Sequence, residues 1–183
     1  AMPYGQWDYF KLYEENFDGV VQAFEANVSA TVRALFRAGQ PGAASQPAPT
    51  AFTRKMGGWF GGGPAPELPR DDKVLTEEAA ATYTAALEKS GFAGPGAWYM
   101  NGAANTAYAA AVKDNWTLQM PVLFLHGKND AICETLESRL AEPMRAACTN
   151  LTEQVIASGH WMAQEKPDDV NAALAEWLDG QKL

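Results

Sequence analysis

The sequence predicts an α/β protein in which an all-helical first part precedes a short β-α-β-α tail. Three observations lead there. Apolar residues recur at helical spacing through most of residues 7–116. At Pro121 the pattern changes to a short continuous apolar run, Val122-Leu-Phe-Leu125, closed by Gly127, which suits a strand buried on both faces of a parallel sheet. A second short run, Gln154-Val-Ile-Ala157, follows an intervening helical pattern. Two strands are too few for a doubly wound sheet, because they leave long edges and an uncovered face. The tail is therefore incomplete without a partner segment, from another chain or from the rest of a longer one.

Residues 7–38 read as mostly helical, with Val20, Val21, Phe24, Val28, Val32, Leu35 and Phe36 on one stripe. The helix is expected to start near Asp18 and to end by Gly39, where Gly39-Gln-Pro-Gly42 breaks it. Residues 39–70 form a Pro-, Gly- and Ala-rich loop centred on Gly57-Gly-Trp-Phe-Gly-Gly-Gly63. A loop this long is often functional or mobile. Met56, Trp59 and Phe60 indicate that part of it packs, and they are candidates for lining a substrate pocket.

Thr76-Glu-Glu-Ala79 carries the cap-plus-acid start of a helix that runs to Gly91 with a stripe of Ala79, Ala80, Tyr83, Ala86 and Leu87. Gly94-Pro-Gly96 reads as a turn, and 98–116 as an alanine-rich helical stretch. Beyond the first strand, 134–147 reads as a helix that Pro143 kinks or splits. Pro167 opens a closing helix to Leu178, with Val170, Ala173, Leu174, Trp177 and Leu178 on its apolar side. This divides the chain into a helical unit over 1–118 and a sheet-forming unit over 119–183.

A chain of 183 residues with six tryptophans can bury a sizeable core. A net charge of −8 with acidic residues spread throughout argues against nucleic acid and against anionic membrane surfaces. No apolar run reaches membrane-spanning length. Cys133 and Cys148 have no metal-type spacing and are too few for a disulfide framework, which favours a reducing, cytoplasmic setting. The C-terminal Gln181-Lys-Leu183 weakly matches a peroxisomal tripeptide, so the peroxisome is the secondary expectation.

Each strand is followed by a loop with chemical potential: His126-Gly-Lys-Asn-Asp130 after the first, Ser158-Gly-His160-Trp161 after the second. Chemistry in open α/β sheets gathers at the carboxyl ends of strands. A carboxylate on one such loop orients an imidazole on the next and stabilises its charged form. His126 lies at a strand-to-loop transition and reads as structural.

With these loops stand two further motifs, Trp7-Asp-Tyr9-Phe-Lys-Leu-Tyr13 and Ser90-Gly-Phe-Ala-Gly-Pro-Gly-Ala-Trp-Tyr99-Met-Asn101. On this set, from about Trp7 to Leu178, the chain resembles the soluble epoxide hydrolases of the α/β-hydrolase fold. The paired tyrosine motifs are specific to that family, whereas the Asp and His loops are shared by many hydrolases. The resemblance implies a helical lid followed by the C-terminal βαβα part of an α/β-hydrolase sheet. It implies Tyr9 and Tyr99 as the lid tyrosines that hydrogen-bond the epoxide oxygen, His160 as the base that activates water, and Asp130 as its orienting acid. A phenol suits the first role, being a neutral donor that becomes a proton source as alkoxide charge grows. Met56, Trp59, Phe60 and Trp161 are the expected apolar substrate contacts. Tyr13, Tyr83 and Tyr108 read as packing residues.

The resemblance also exposes a departure. The family opens its epoxide with an aspartate on a nucleophile elbow and holds an oxyanion hole near a His-Gly-x-Pro turn. Both precede the lid, and neither occurs in this sequence. The expected activity is that of half an epoxide hydrolase, converting a small apolar epoxide to a vicinal diol through a covalent ester, without metal or cofactor. The N-terminal half of the same hydrolase would supply the nucleophilic Asp, and this chain alone would be inactive. Haloalkane and haloacid dehalogenases share the scaffold but use Trp, Asn or His donors where this chain has a tyrosine pair. A non-catalytic module binding hydrophobic ligands would gain nothing from an oriented base.

Overall fold

The computed structural model describes residues 3–181, apart from the side chains of Asp114 and Asn115. Lys182 and Leu183, and with them most of the tripeptide read as a targeting signal, lie outside the described residues.

Helix α1 (Asp8–Glu25) begins well before the expected start near Asp18 and is kinked instead at Asn16 (φ −150°, ψ 52°). The Asn16 amide folds into the space that a side chain at Gly19 would occupy. Asp8 anchors the first turn, accepting hydrogen bonds from the Arg54 backbone N–H (2.8 Å) and the Thr53 hydroxyl (3.1 Å). The stripe read as one helix to Gly39 is broken again before α2 (Val28–Leu35), where the Asn27 side chain caps the Ala30 N–H at 3.0 Å. The stripe looked continuous because residues of both helices pack against one core: Tyr9, Leu12, Tyr13, Val20, Phe24 and Phe92, with Val28 and Leu35 at its edge.

The Pro/Gly-rich loop is partly built. It contains 3₁₀ turns at Ala43–Ser45 and Pro49–Phe52. Trp59 and Phe60 place their rings 5.9 and 5.5 Å from Phe24. Helix α3 (Glu77–Ser90) is capped by Thr76, whose hydroxyl accepts from the Ala79 N–H at 3.1 Å. It packs on α2 through a second core of Val32, Ala38, Val74, Leu75 and Ala80. Gly94-Pro-Gly96 lies inside the short helix α4 (Ala93–Ala97) rather than in a separate turn. Pro95 is tolerated there because first-turn N–H groups have no helical partner. The stretch 98–116 is not one helix: a 3₁₀ turn at Trp98–Met100 precedes α5 (Gly102–Ala110), and another at Lys113–Trp116 follows it.

Strands β1 (Val122–Gly127) and β2 (Leu151–Ile156) pair in parallel, with Val122 opposite Leu151 and His126 opposite Val155. The helix expected over 134–147 shrinks to α6 (Glu142–Ala147). Two features cause this. The Glu134 carboxylate accepts from the backbone N–H groups of Leu136, Glu137 and Ser138 (2.6, 2.9 and 2.7 Å), holding the segment in a tight turn. Pro143 then stands in the first turn of α6, where it is tolerated, rather than inside a longer helix. Helices α7 (Met162–Glu165) and α8 (Pro167–Gly180) close the chain, and α8 packs against both strands.

His126 is only 2% exposed and is a clasp: Nδ1 shares a hydrogen bond with Thr135 Oγ1 (2.8 Å) and Nε2 with Glu153 Oε1 (2.9 Å). The rest of the strand surface is thinly covered. Val122 to Leu125, apolar throughout, are only half-buried, and Val155 is 53% exposed. On α8, Leu174 and Leu178 also face outward.

Candidate active site

Asp130 and His160 stand on the loops that follow β1 and β2. Parallel pairing puts the two strand ends side by side, Gly127 opposite Ile156, so the two loops leave the sheet together. The Asn129 N–H donates to the Ser158 carbonyl at 2.9 Å and ties them directly. His160 Nδ1 lies 3.1 Å from Asp130 Oδ2. The other carboxylate oxygen accepts from the Ile132 and Cys133 N–H groups at 2.8 and 2.9 Å. These three bonds fix the carboxylate in one orientation.

The charges follow from this geometry. Burial alone would raise the Asp130 carboxyl, but the His160 hydrogen bond and the backbone donors outweigh it and hold the group below its ordinary value. The His160 imidazole is pushed up from 6.5 to about 10, first by its bond to Asp130 and then by contact with the Cys133 thiol, against partial burial. Both shifts favour the ion-paired form of the two groups.

Tyr9 comes from the first turn of α1, held there by the Asp8 anchor. Tyr99 comes from the 3₁₀ turn between α4 and α5. Their rings meet edge to face with centroids 5.3 Å apart, and Tyr13 stacks on the other side of Tyr99 at 4.8 Å. Burial, and for Tyr9 the neighbouring Tyr99 and Cys133, raise both phenols above their ordinary value, so they remain neutral donors. Cys133 borders both groups: it influences Tyr9 of the lid, and its sulfur joins the Asp130 and His160 ligand atoms in a set lying within 4.8 Å of one another.

The apolar candidates are placed differently from one another. Trp59 sits beside Tyr9, with ring centroids 5.3 Å apart, and Phe60 packs behind it on the Phe24 core. Met56 is 47% exposed. Trp161 is edge-on to His160 (5.4 Å) but stacks on Phe36 (4.2 Å) and donates its indole N–H to the Leu35 carbonyl (2.8 Å), anchoring the histidine loop to the lid. A groove of about 450 Å³ borders the Asp130 loop through Ala131 and Ile132, with Gln6, Pro47 and Ala51 on its lid side. A separate cavity of about 310 Å³ lies by the α1 kink, lined by Asn16, Gly19 and Trp59, away from Asp130 and His160. None of Tyr9, Tyr99, Asp130 and His160 lines either of these two cavities; the groove comes nearer to the pair, through the residues that follow Asp130.

Asp130, Cys133 and His160 are also the one donor set close enough to share a metal ion among the described residues. Both Asp130 oxygens are already engaged by hydrogen bonds, so an ion would have to displace the His160 contact. Three residues of this site escape sequence reasoning. Cys133 follows Asp130 by a single turn of loop, and Asp8 adjoins Tyr9; position alone was the available signal for each. Glu165, whose carboxylate accepts from the Gly159 N–H at 2.8 Å, carries no motif beyond its place in the helix after His160.

No protein-family model matches the chain. It is similar to the bifunctional epoxide hydrolase 2 of Sus scrofa, with 31% identity over 175 residues, covering 94% of this chain and 29% of that protein. It is also 31% identical to epoxide hydrolase A of Mycobacterium tuberculosis over 110 residues, 60% of this chain and 33% of that protein. The crystal structure of epoxide hydrolase A from Mycobacterium thermoresistibile superposes with a TM-score of 0.66 and 28% identity, over 94% of this chain and 52% of that one. An epoxide hydrolase from an endophytic Streptomyces gives a TM-score of 0.68 at 23% identity, which speaks for the fold alone. The chain thus spans about a third of the length of these curated relatives and about half of the solved structures. Its fold is that of a helical lid and the C-terminal part of the sheet in α/β-hydrolase epoxide hydrolases.

Proposed function

We propose that this chain is the lid and C-terminal part of an epoxide hydrolase, completed by an N-terminal half that carries the nucleophile. Tyr9 and Tyr99 donate hydrogen bonds to the epoxide oxygen. A carboxylate of the partner half attacks a ring carbon, the C–O bond breaks, and a tyrosine proton moves to the alkoxide. The product of this step is a hydroxyalkyl ester. His160 then removes a proton from a water that attacks the ester carbonyl, and Asp130 holds the ring and stabilises the imidazolium. The tetrahedral intermediate collapses with cleavage of the ester C–O bond, the leaving alkoxide takes the imidazolium proton, and the partner's carboxyl returns its proton to the tyrosinate, so the vicinal diol leaves with carboxylate, phenol and neutral imidazole restored. The substrate is a small apolar epoxide, matched by the aromatic surroundings of Tyr9. On this reading 1–118 acts as the lid and 119–183 as the sheet that presents the base.

The 3.1 Å Asp130–His160 contact carries the proposal, because an oriented, carboxylate-paired imidazole has a use in ester hydrolysis and none in simple binding. The tyrosine pair favours epoxide over halide as the leaving group. No helix is long and apolar enough to cross a membrane among the described residues. The test is reconstitution with the N-terminal half and an apolar epoxide. Diol should form, and His160→Gln should leave an ester on the partner that mass spectrometry detects. Normal multiple turnover by that variant removes His160 from the role of base.

A further inference from the structure

The histidine loop is fastened to the lid on both sides of His160. On one side the Trp161 indole donates to the Leu35 carbonyl at 2.8 Å. On the other, a single carboxylate oxygen of Glu165, Oε2, accepts from the Gly159 N–H (2.8 Å) and from the Gly39 N–H (3.1 Å). Glu165 therefore bridges the base loop to the segment that leaves α2. The two glycines meet backbone to backbone: a Cβ at Gly159 would stand 2.4 Å from the Gly39 nitrogen, and one at Gly39 would stand 2.5 Å from the Gly159 Cα. Asp71 fixes the lid side of this junction by accepting from the Ala38 N–H at 3.0 Å. Gly39 and Ala38 thus offer consecutive N–H groups to two different carboxylates.

This arrangement has a mechanical meaning. On the sheet side the histidine loop is tied to the Asp130 loop, through Ser158 and through the His160 ring itself. Its other fixed points, the Trp161 indole and the Glu165 carboxylate, lead to the helical part that carries both tyrosines. We infer that Glu165 is a positioning residue, which holds the His160 loop and the tyrosine-bearing lid in one frame. Its acceptor oxygen, rather than its charge, does this, since both partners are neutral backbone donors. The inference rests on the epoxide hydrolase reading for its catalytic consequence and on the geometry alone for the clamp.

The assembled two-half enzyme with an apolar epoxide tests it, using rapid quench to follow the ester and diol separately. Glu165→Ala should form ester at close to the normal rate but hydrolyse it about 10²-fold more slowly, the scale of a small misplacement of a catalytic group. Ester should therefore accumulate. Glu165→Gln keeps a carbonyl oxygen that accepts from both glycine N–H groups, so it should restore hydrolysis. Hydrogen exchange at the Gly39 and Gly159 amides should quicken in the alanine variant and return to normal in the glutamine variant. Equal slowing of ring opening and hydrolysis would indicate a merely structural residue and overturn the assignment. So would a glutamine variant as impaired as the alanine one, or unchanged exchange at both glycines. If the unsubstituted enzyme forms neither ester nor diol, the epoxide hydrolase reading fails, and the exchange measurement still decides the clamp.

Discussion

Tyr9 and Tyr99 share one aromatic cluster but differ in support. Tyr9 is packed against Trp59, Phe10 and Tyr99, and the Asp8 anchor fixes its helical turn. Tyr99 rests on a 3₁₀ turn and on the Tyr13 ring. With two donors to one oxygen, either Tyr9→Phe or Tyr99→Phe should slow ring opening in the assembled enzyme by about 10²–10³-fold, and the double change should abolish it. Ester formation in single turnover measures this, and full activity in the double variant would remove the tyrosines from the mechanism. His160 offers a second check. Its value is raised to about 10 by the Asp130 bond, so the pairing contributes stability that is complete below about 6.5 and is lost as pH rises through 10. The neutral, base-competent fraction grows over the same window, about tenfold per pH unit. Ring-proton NMR of His160 should give a midpoint near 10, moving toward 6.5 in Asp130→Asn; a wild-type midpoint already near 6.5 would refute the pairing. At this scale the pairing of Asp130 with His160 was legible in the sequence, because it follows from their strand-end positions. The sequence was silent where backbone partners decide, as with Asp8 and Glu165, because no spacing rule reports which distant N–H a carboxylate will meet.

Between elements, the firmest link runs through Trp161. Its ring stacks on Phe36, Phe36 stacks on Tyr83 of α3 at 5.0 Å, and its N–H is held by Leu35 at the end of α2. Trp161→Ala should cost about 3 kcal/mol in the assembled protein, at the low end for removing a large aromatic because the residue is only half-buried. Trp161→Phe should keep the stacking and lose the hydrogen bond, costing about 1 kcal/mol. Denaturant unfolding measures both, and an alanine variant as stable as the phenylalanine one would show that the stack carries no load. Helix and strand types were legible from apolar period, but boundaries were not. Asn27 interrupts the stripe with a side-chain cap while the apolar side stays continuous, so period alone ran through the break. Glu134 overrides a helical pattern by collecting three N–H groups that a helix would have used otherwise. In both cases a local polar side chain competed with the regular backbone pattern and won.

For the molecule as a whole, the thin cover of the strands was the most legible property. Val122-Leu-Phe-Leu125 reads as a strand covered on both faces, yet in the folded chain these residues are only half-buried, and the pair forms a two-stranded sheet. Val155, Leu174 and Leu178 are 53%, 41% and 50% exposed. Parallel sheets need cover on both faces, and an exposed apolar strand edge is a template for pairing. The N-terminal half proposed above is expected to supply that cover by adding a strand along the free edge of β1, which also brings its nucleophile to the strand ends beside His160. The contact should exceed about 2,000 Å², the lower end for obligate partners. Mixed with that half, the chain should show strong new protection from hydrogen exchange along 122–126, while the β2 amides already paired to β1 change less. Alone, it should self-associate or melt without a cooperative transition. Sedimentation of the isolated chain as a compact monomer that melts cooperatively, with no new protection of β1 on mixing, would replace the half-enzyme reading with a self-sufficient domain.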